Sequence, residues 1–309
     1  MVRNEFTFPS ADGKTSIHAV EWLPEGAPRA VVQLSHGVAE HILRYEPFAR
    51  FLTAQGFAVA GHDHLGHGAS VAPGAPRLYF GPKGSWQWVV DDLYTLRHQL
   101  AEQFPHIPCY LLGHSMGSFL ARTYLIRFPG TVSGAILMGT GQPPAAVTAA
   151  GRLAAAEEVR RLGEERPSPL LEHLIFGSYA RLFAPCRTDC DWISLSRENV
   201  DAYIADPLCG GTPTAGLFRE MLGGLAFIGS GKNLRRMDPS TPILFLSGTM
   251  DPVGGCGKEV RQVARRFEKA GVREVSLRLY PELRHELLNE DCRESVCHDI
   301  LHWLEERTK

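Results

Sequence analysis

The sequence predicts an α/β fold built on a mostly parallel sheet, and three features predict it. Short apolar runs recur along the chain with helical stretches between them. The runs are continuous rather than alternating, as in strands buried on both faces. Only the first two strand-like segments follow each other too closely for a crossover helix. The count suits eight strands flanked by helices.

The opening pair is "NEFTFPS" (4–10) and "SIHAVEWLP" (16–24), joined across the turn-rich "ADGK" and expected as an antiparallel hairpin at one edge. The parallel strands are expected in "AVVQLSHG" (30–37), "FAVAGHD" (57–63), "CYLLGHS" (109–115), "GAILMGTG" (134–141), "PILFLSGTMD" (242–251) and "VSLRLYPE" (275–282). Helices are expected in "YEPFARFLTAQG", "WVVDDLYTLRHQLAEQF", "GSFLARTYLIRFPG", "GKEVRQVARRFEKAG" and "ESVCHDILHWLEERT", several of them closed by Gly or by a following Pro.

One interval breaks the rhythm. Between Gly141 and Pro242 the chain is far longer than a single crossover needs. It contains the Ala-rich "AAVTAAGRLAAAEEVRRLG" and then "SPLLEHLIFGSYARLF", whose apolar residues fall at helical spacing with aromatics at Phe176, Tyr179 and Phe183. Residues 142–230 are therefore expected as a helical cap inserted into a core domain formed by 1–141 and 231–309. Packing of the apolar stripe on the sheet domain alone is the alternative to its lining a pocket.

The 309 residues carry a formal net charge of -2 and 44% hydrophobic content, which gives no electrostatic case for nucleic acid or an anionic membrane. The N-terminal stretch lacks the apolar core and cleavage site of a signal peptide. No run approaches the roughly 18 apolar residues of a spanning helix. Seven cysteines are scattered without paired spacing, and a reducing cytoplasm fits them best. Cys186 and Cys190 flank Asp189 but have no matching second pair, so they read as ordinary thiols.

Chemistry enters at "GHSMG", positions 113–117. Ser115 follows a strand-like run and precedes a helix-like one, the setting of a nucleophile elbow, where glycines at 113 and 117 avoid clashes in a turn too tight for side chains. A serine hydroxyl is a weak nucleophile near neutral pH and needs a base oriented by a third group. Asp251 closes the strand "PILFLSGTMD", and His285 lies in the loop "YPELRHELLNE" after the last strand. Ser, Asp and His then occupy three strand ends in the order an elbow nucleophile requires. An oxyanion hole would draw one backbone N–H from Met116 and the other from Val38 in the loop after the third strand, each donor contributing about 3 kcal/mol.

With these residues the chain resembles the monoacylglycerol lipase and lysophospholipase branch of the α/β-hydrolases, a group related to the serine aminopeptidases. "SHGVAEHILRY" looks like the branch's oxyanion-loop signature, "GHDHLGHGAS" like its second signature and "GHSMG" like its elbow, with the contexts of Asp251 and His285 following. The resemblance covers nearly the whole chain. It implies the α/β-hydrolase fold, an eight-stranded sheet with a helical cap that covers the site and forms an apolar acyl channel. It also implies that Glu40 and Arg44 lie near the glycerol end of a substrate. One position departs from the branch: a second histidine commonly stands three residues after the catalytic one, and here that residue is Leu288.

In "HDHLGH", His62, Asp63, His64 and His67 could suggest metal ligands, but matching ligands in later loops are not evident. The expectation is a loop pinned by hydrogen bonds beside the site. The sequence thus reads as a serine hydrolase of esters with an apolar acyl group, needing no cofactor or metal. Its partners would be a small-molecule or lipid ester and, through the cap, a transient membrane surface, with no nucleic acid. The rivals are an aminopeptidase of the same fold, which needs an acid to hold a free amine, a silent hydrolase-fold binding module and a metal hydrolase.

Overall fold

A computed structural model describes residues 1–308. Eight strands form one sheet in the order β1-β2-β4-β3-β5-β6-β7-β8. They are β1 Val2–Pro9, β2 Ser16–Leu23, β3 Val31–Ser35, β4 Ala58–His62, β5 Cys109–His114, β6 Gly134–Met138, β7 Ile243–Gly248 and β8 Val275–Tyr280. β1 pairs antiparallel with β2, and β2 with β4; every pairing from β4 to β8 is parallel. The hairpin and all six expected parallel strands are present.

Side chains of the central strands alternate between two cores because successive residues point to opposite faces. On β5, Cys109 and Leu111 join one core with α2 (Trp86–Gln103), α3 (Met116–Arg127) and α9 (Lys258–Ala270). Tyr110 and Leu112 join the other with α1 (Glu46–Ala54) and α10 (Arg293–Glu305). β8 differs from its expected double burial: only Tyr280 is buried, because the strand is the open edge of the sheet.

Between β6 and β7 lie α4 (Ala145–Leu162), α5 (Pro169–Phe176), α6 (Arg197–Ala205), α7 (Ala215–Ile228) and the single turn α8 (Gly231–Leu234). "SPLLEHLIFGSYARLF" is not one helix. It breaks at Gly177 into α5 and a 3-10 turn at Ala180–Phe183. A β-carbon at Gly177 would stand 2.4 Å from the His173 carbonyl, so the chain turns there where only glycine fits. α7 is buried along most of its length and packs against the core, where a β-carbon at Gly224 would meet the Trp86 ring at 2.4 Å. α4 buries only Thr148, Ala155 and Glu158. In the stripe of "SPLLEHLIFGSYARLF" itself, Leu171 joins the core with Ile175 and Phe176 packed against it, while Leu174, Phe176 and Tyr179 also line a cavity.

The sheet order reverses at β3. The chain steps outward to β4 and returns to β5 on the other side of β3, which leaves a crevice beyond the ends of β3 and β5. The loop carrying Val38 and the turn carrying Ser115 both open onto that crevice.

Candidate active site

Ser115 joins β5 to α3 with φ 53° and ψ −122°, a left-handed conformation that costs a non-glycine residue about 1–3 kcal/mol. Neighbouring contacts hold it there. Its N–H donates to the Met138 carbonyl at 3.0 Å, and its own carbonyl accepts from Ser118 N–H at 2.9 Å. A β-carbon at Gly113 would stand 2.4 Å from the Gly117 carbonyl oxygen, and one at Gly117 only 2.0 Å from that of Ser35. Both flanking glycines are thus steric requirements of a helix that starts hard against two strands.

Asp251 lies three residues beyond β7, fully buried. Its Oδ1 accepts from His285 Nδ1 at 3.0 Å and from the Val253 N–H at 2.9 Å, while Oδ2 accepts from Ser247 Oγ at 3.4 Å. With Nδ1 committed to Asp251, the ring of His285 leaves Nε2 as the nitrogen free to exchange a proton. The ring packs between His114 at 4.6 Å and Trp192 at 5.2 Å between centroids. Gly139, at φ +60°, leaves the space the ring needs: a β-carbon there would meet Cε1 at 2.9 Å.

Ser115, His285, Val38 and Met116 all line one cavity of about 1230 Å³. Its outer wall comes from the 142–230 segment, with Leu174, Phe176, Tyr179, Trp192 and Leu225 among the lining residues. The Met116 amide sits in the first turn of α3, where N–H groups lack partners within the helix. Asp251 stands behind His285 rather than on the wall.

Glu40 and Arg44, expected near the alcohol end of a substrate, are committed to the protein itself. Glu40 accepts from Gly37 N–H at 2.6 Å, Tyr45 Oη at 3.0 Å, Arg44 at 3.0 Å and His114 Nδ1 at 3.2 Å. Burial works against its charge, but the His114 bond and the Arg44 guanidinium outweigh it and hold the carboxyl well below the usual range. Arg44 makes a bidentate pair with Glu286 at 2.7 Å on both arms, donates to Asn199 Oδ1 at 3.1 Å and lies over the Tyr203 ring at 5.0 Å. It is absent from the cavity wall, which Glu40 and Glu286 reach. Arg44 thereby ties the loop after β3, the residue following His285 and the helix α6 together. The 242-residue separation of Arg44 from Glu286 hid that pair from sequence reading.

His114 also went unnoticed in the sequence. It bridges Glu40 Oε1 and the His285 carbonyl at 3.3 Å, and since both partners are acceptors the ring serves them best with both nitrogens protonated. Burial lowers its pKa, but the Glu40 hydrogen bond and charge raise it further, to a net increase. Leu288 is buried in the core beside α10, away from the cavity.

The "HDHLGH" loop is pinned as expected. Asp63 accepts from Ile42 and Ala69 N–H at 2.8 Å and from His18 Nδ1 at 2.9 Å. Although burial raises it, the His18 bond leads the opposing contributions and brings its pKa down to about 2. His62 and His67 are pushed down to about 3 by burial, so both stay neutral. Cys186 and Cys190 are free thiols that both line the cavity. Phe176 and Tyr179 line it too, whereas Phe183 lies under the Arg284 guanidinium at 4.2 Å.

The sheet order, the strained elbow and the inserted helices define the class: this is an α/β-hydrolase. Residues 26–292 match the family model described as "Serine aminopeptidase, S33", and the chain belongs to that family. It is 32% identical to a monoacylglycerol lipase of Mycolicibacterium smegmatis over 98% of this chain and 97% of that one. It is 28% identical to a human monoglyceride lipase over 93% of this chain and 86% of that one. Among solved structures, a thermostable carboxyl esterase from Bacillus coagulans in complex with glycerol superposes with a TM-score of 0.92 at 29% identity, covering both chains fully.

Proposed function

We propose that the protein hydrolyses carboxylic esters with an apolar acyl group through an acyl-enzyme on Ser115. The observation that carries the reading is the 3.0 Å pair between His285 Nδ1 and Asp251 Oδ1, set in one cavity with a serine held at positive φ. In this mechanism Ser115 Oγ attacks the carbonyl carbon as His285 Nε2 accepts its proton. Asp251 fixes the tautomer and stabilises the imidazolium, and the amides of Val38 and Met116 hold the oxyanion. His285 returns the proton to the leaving alkoxide, and water then repeats the sequence on the acyl-enzyme. The class of ester hydrolase agrees with relatives named as monoacylglycerol lipases and with a neighbour named as a carboxyl esterase.

The aromatic and aliphatic outer wall favours an acyl chain over a polar one and keeps water from the acyl-enzyme. Residues 142–230 act as the cap in this reading. Glu40 and Glu286 on the wall are bonded to Arg44 and His114, so the amine an aminopeptidase would bind would fall to the other acids of the wall, Glu172 and Asp189. The cap also exposes Val147, Leu153, Leu170, Leu174, Leu182, Leu195 and Ile204; outside it only Met1, Val2 and Met250 are comparably exposed among the described residues. That concentration fits docking on a lipid surface that presents the ester.

The test is hydrolysis of p-nitrophenyl esters from acetate to palmitate, and of a monoacylglycerol, by wild type and Ser115→Ala with EDTA present. Wild type should favour medium to long chains, and the variant should lose at least about 10⁴-fold in kcat. Activity surviving in Ser115→Ala would sink the serine mechanism. Cleavage of aminoacyl amides in preference to esters would redirect it to peptides.

A further inference from the structure

Behind the cavity wall, a second group of side chains meets where the loop after β3 touches the turn between α6 and α7. A ring nitrogen of His41, a carboxylate oxygen of Asp206 and the sulfur of Cys209 lie within 4.8 Å of one another. We propose that these three residues form a binding site for a zinc-class divalent cation, separate from the catalytic chemistry.

The donor set favours that class. Zinc takes imidazole nitrogen, carboxylate oxygen and thiolate sulfur at about 2.0–2.3 Å in a tetrahedron, which sets ligand atoms about 3.3–3.8 Å apart. The three donors, all within 4.8 Å of one another, would have to adjust to that spacing around the ion. His41 Nε2 now stands 2.8 Å from Asp206 Oδ2, a hydrogen bond that the cation would replace. Sulfur and imidazole disfavour calcium and magnesium, which prefer oxygen-only shells.

The backbone is already arranged for it. Asp206 Oδ1 accepts from Leu208 N–H at 2.8 Å and the Asp206 carbonyl accepts from Cys209 N–H at 3.0 Å, so a tight turn presents both cap-side ligands. Gly210 N–H donates to the Ala39 carbonyl at 2.9 Å, which fixes that turn against the loop bearing His41. His41 and Cys209 are 6% and 8% exposed, while the Asp206 side chain is 29% exposed and leaves a path for the ion and a water as fourth ligand. Cys209 binds as thiolate and releases its proton to solvent. The bound ion joins the turn to a loop whose Val38 amide lies three residues from His41.

Cobalt(II) titration and zinc competition against a chromophoric chelator test the site, in wild type and in Ser115→Ala. Both proteins should take up one tight equivalent with a sulfur-to-cobalt charge-transfer band, because the reading does not depend on catalysis. Cys209→Ser should abolish the band. Asp206→Asn, which can keep its hydrogen bond to His41 and so its fold, should weaken zinc binding by more than the about 10–100-fold that changes outside the ligand set cost. Cys186→Ser/Cys190→Ser should leave both readouts unchanged. The proposal is overturned if wild type takes up no tight equivalent, if Cys209→Ser retains it, if the band vanishes with Cys186 and Cys190 instead, or if magnesium competes equally.

Discussion

On the sheet side of the cavity, α3 is buried at nearly every position and begins at a serine strained against two flanking glycines. On the cap side, α4 buries three scattered residues and leaves Leu153 75% exposed. The sheet side carries paired, buried charges: Asp251 with His285, and Arg44 between Glu40 and Glu286. The cap side carries exposed pairs such as Arg187 with Asp201. The difference separates two jobs. Chemistry needs atoms held within a fraction of an ångström, which dense packing supplies. In the proposed reading, accommodating an acyl chain needs apolar area rather than a fixed arrangement, and the 142–230 segment supplies apolar lining while its α4 buries few side chains.

The largest effect is expected where the sheet side touches the reaction. Asp251→Asn keeps the shape of the side chain but can present an N–H toward His285 Nδ1 and so favours the wrong tautomer. A fall of about 10⁴ in kcat with little change in KM is expected from steady-state ester kinetics. A fall below tenfold would mean that the buried pair is structural only, and the contrast between the two sides would lose its functional meaning.

Arg44 sharpens the contrast through stability. Arg44→Met strands two buried carboxylates and should cost about 3–5 kcal/mol in denaturant unfolding. The matched cap substitution, Arg187→Met, breaks an exposed pair and should cost less than about 1 kcal/mol. Equal costs would erase the distinction between an over-determined side and a tolerant one. The Arg44 variant should also lower kcat more than it raises KM, since Glu286 adjoins His285 and Arg44 stays off the cavity wall.

Much of the sheet side was legible in the sequence because its signals are local. Continuous apolar runs marked the buried strands, and Gly113, Ser115 and Gly117 fall within five residues. Asp251 and His285 could be found only because strand ends occur in a fixed chain order. Glu40 and Arg44 were legible only through a resemblance that placed them near a substrate's glycerol end; the structure bonds both to the protein, leaves Arg44 off the cavity wall and supplies partners the sequence did not reveal. His114, Glu286 and Asn199 come from distant segments, and no periodicity or spacing encodes a contact that the tertiary fold creates. The same holds for Trp192 against His285 and for the meeting of His41 with Asp206 and Cys209. In the cap, helical spacing was readable, whereas the split between a buried α7 and an outlying α4 depends on what lies beneath each helix.

The smallest change in the folded protein is expected at the outer cap surface, where Leu153 and Leu170 face solvent and do not line the cavity. The double substitution Leu153→Ser/Leu170→Ser should alter unfolding free energy by no more than about 0.5 kcal/mol, since neither side chain packs in a core. Hydrolysis of a soluble short-chain ester should be unchanged, because the sheet side is untouched. Partitioning onto phosphatidylcholine vesicles carrying a monoacylglycerol should fall about tenfold, the equivalent of about 1.4 kcal/mol and less than full burial of two leucines would contribute. Equal losses on vesicles and on the soluble ester would assign these leucines to cap folding. Unchanged partitioning would mean that the apolar cap surface serves something other than a lipid interface, and the tolerant side of the cavity would need a different explanation.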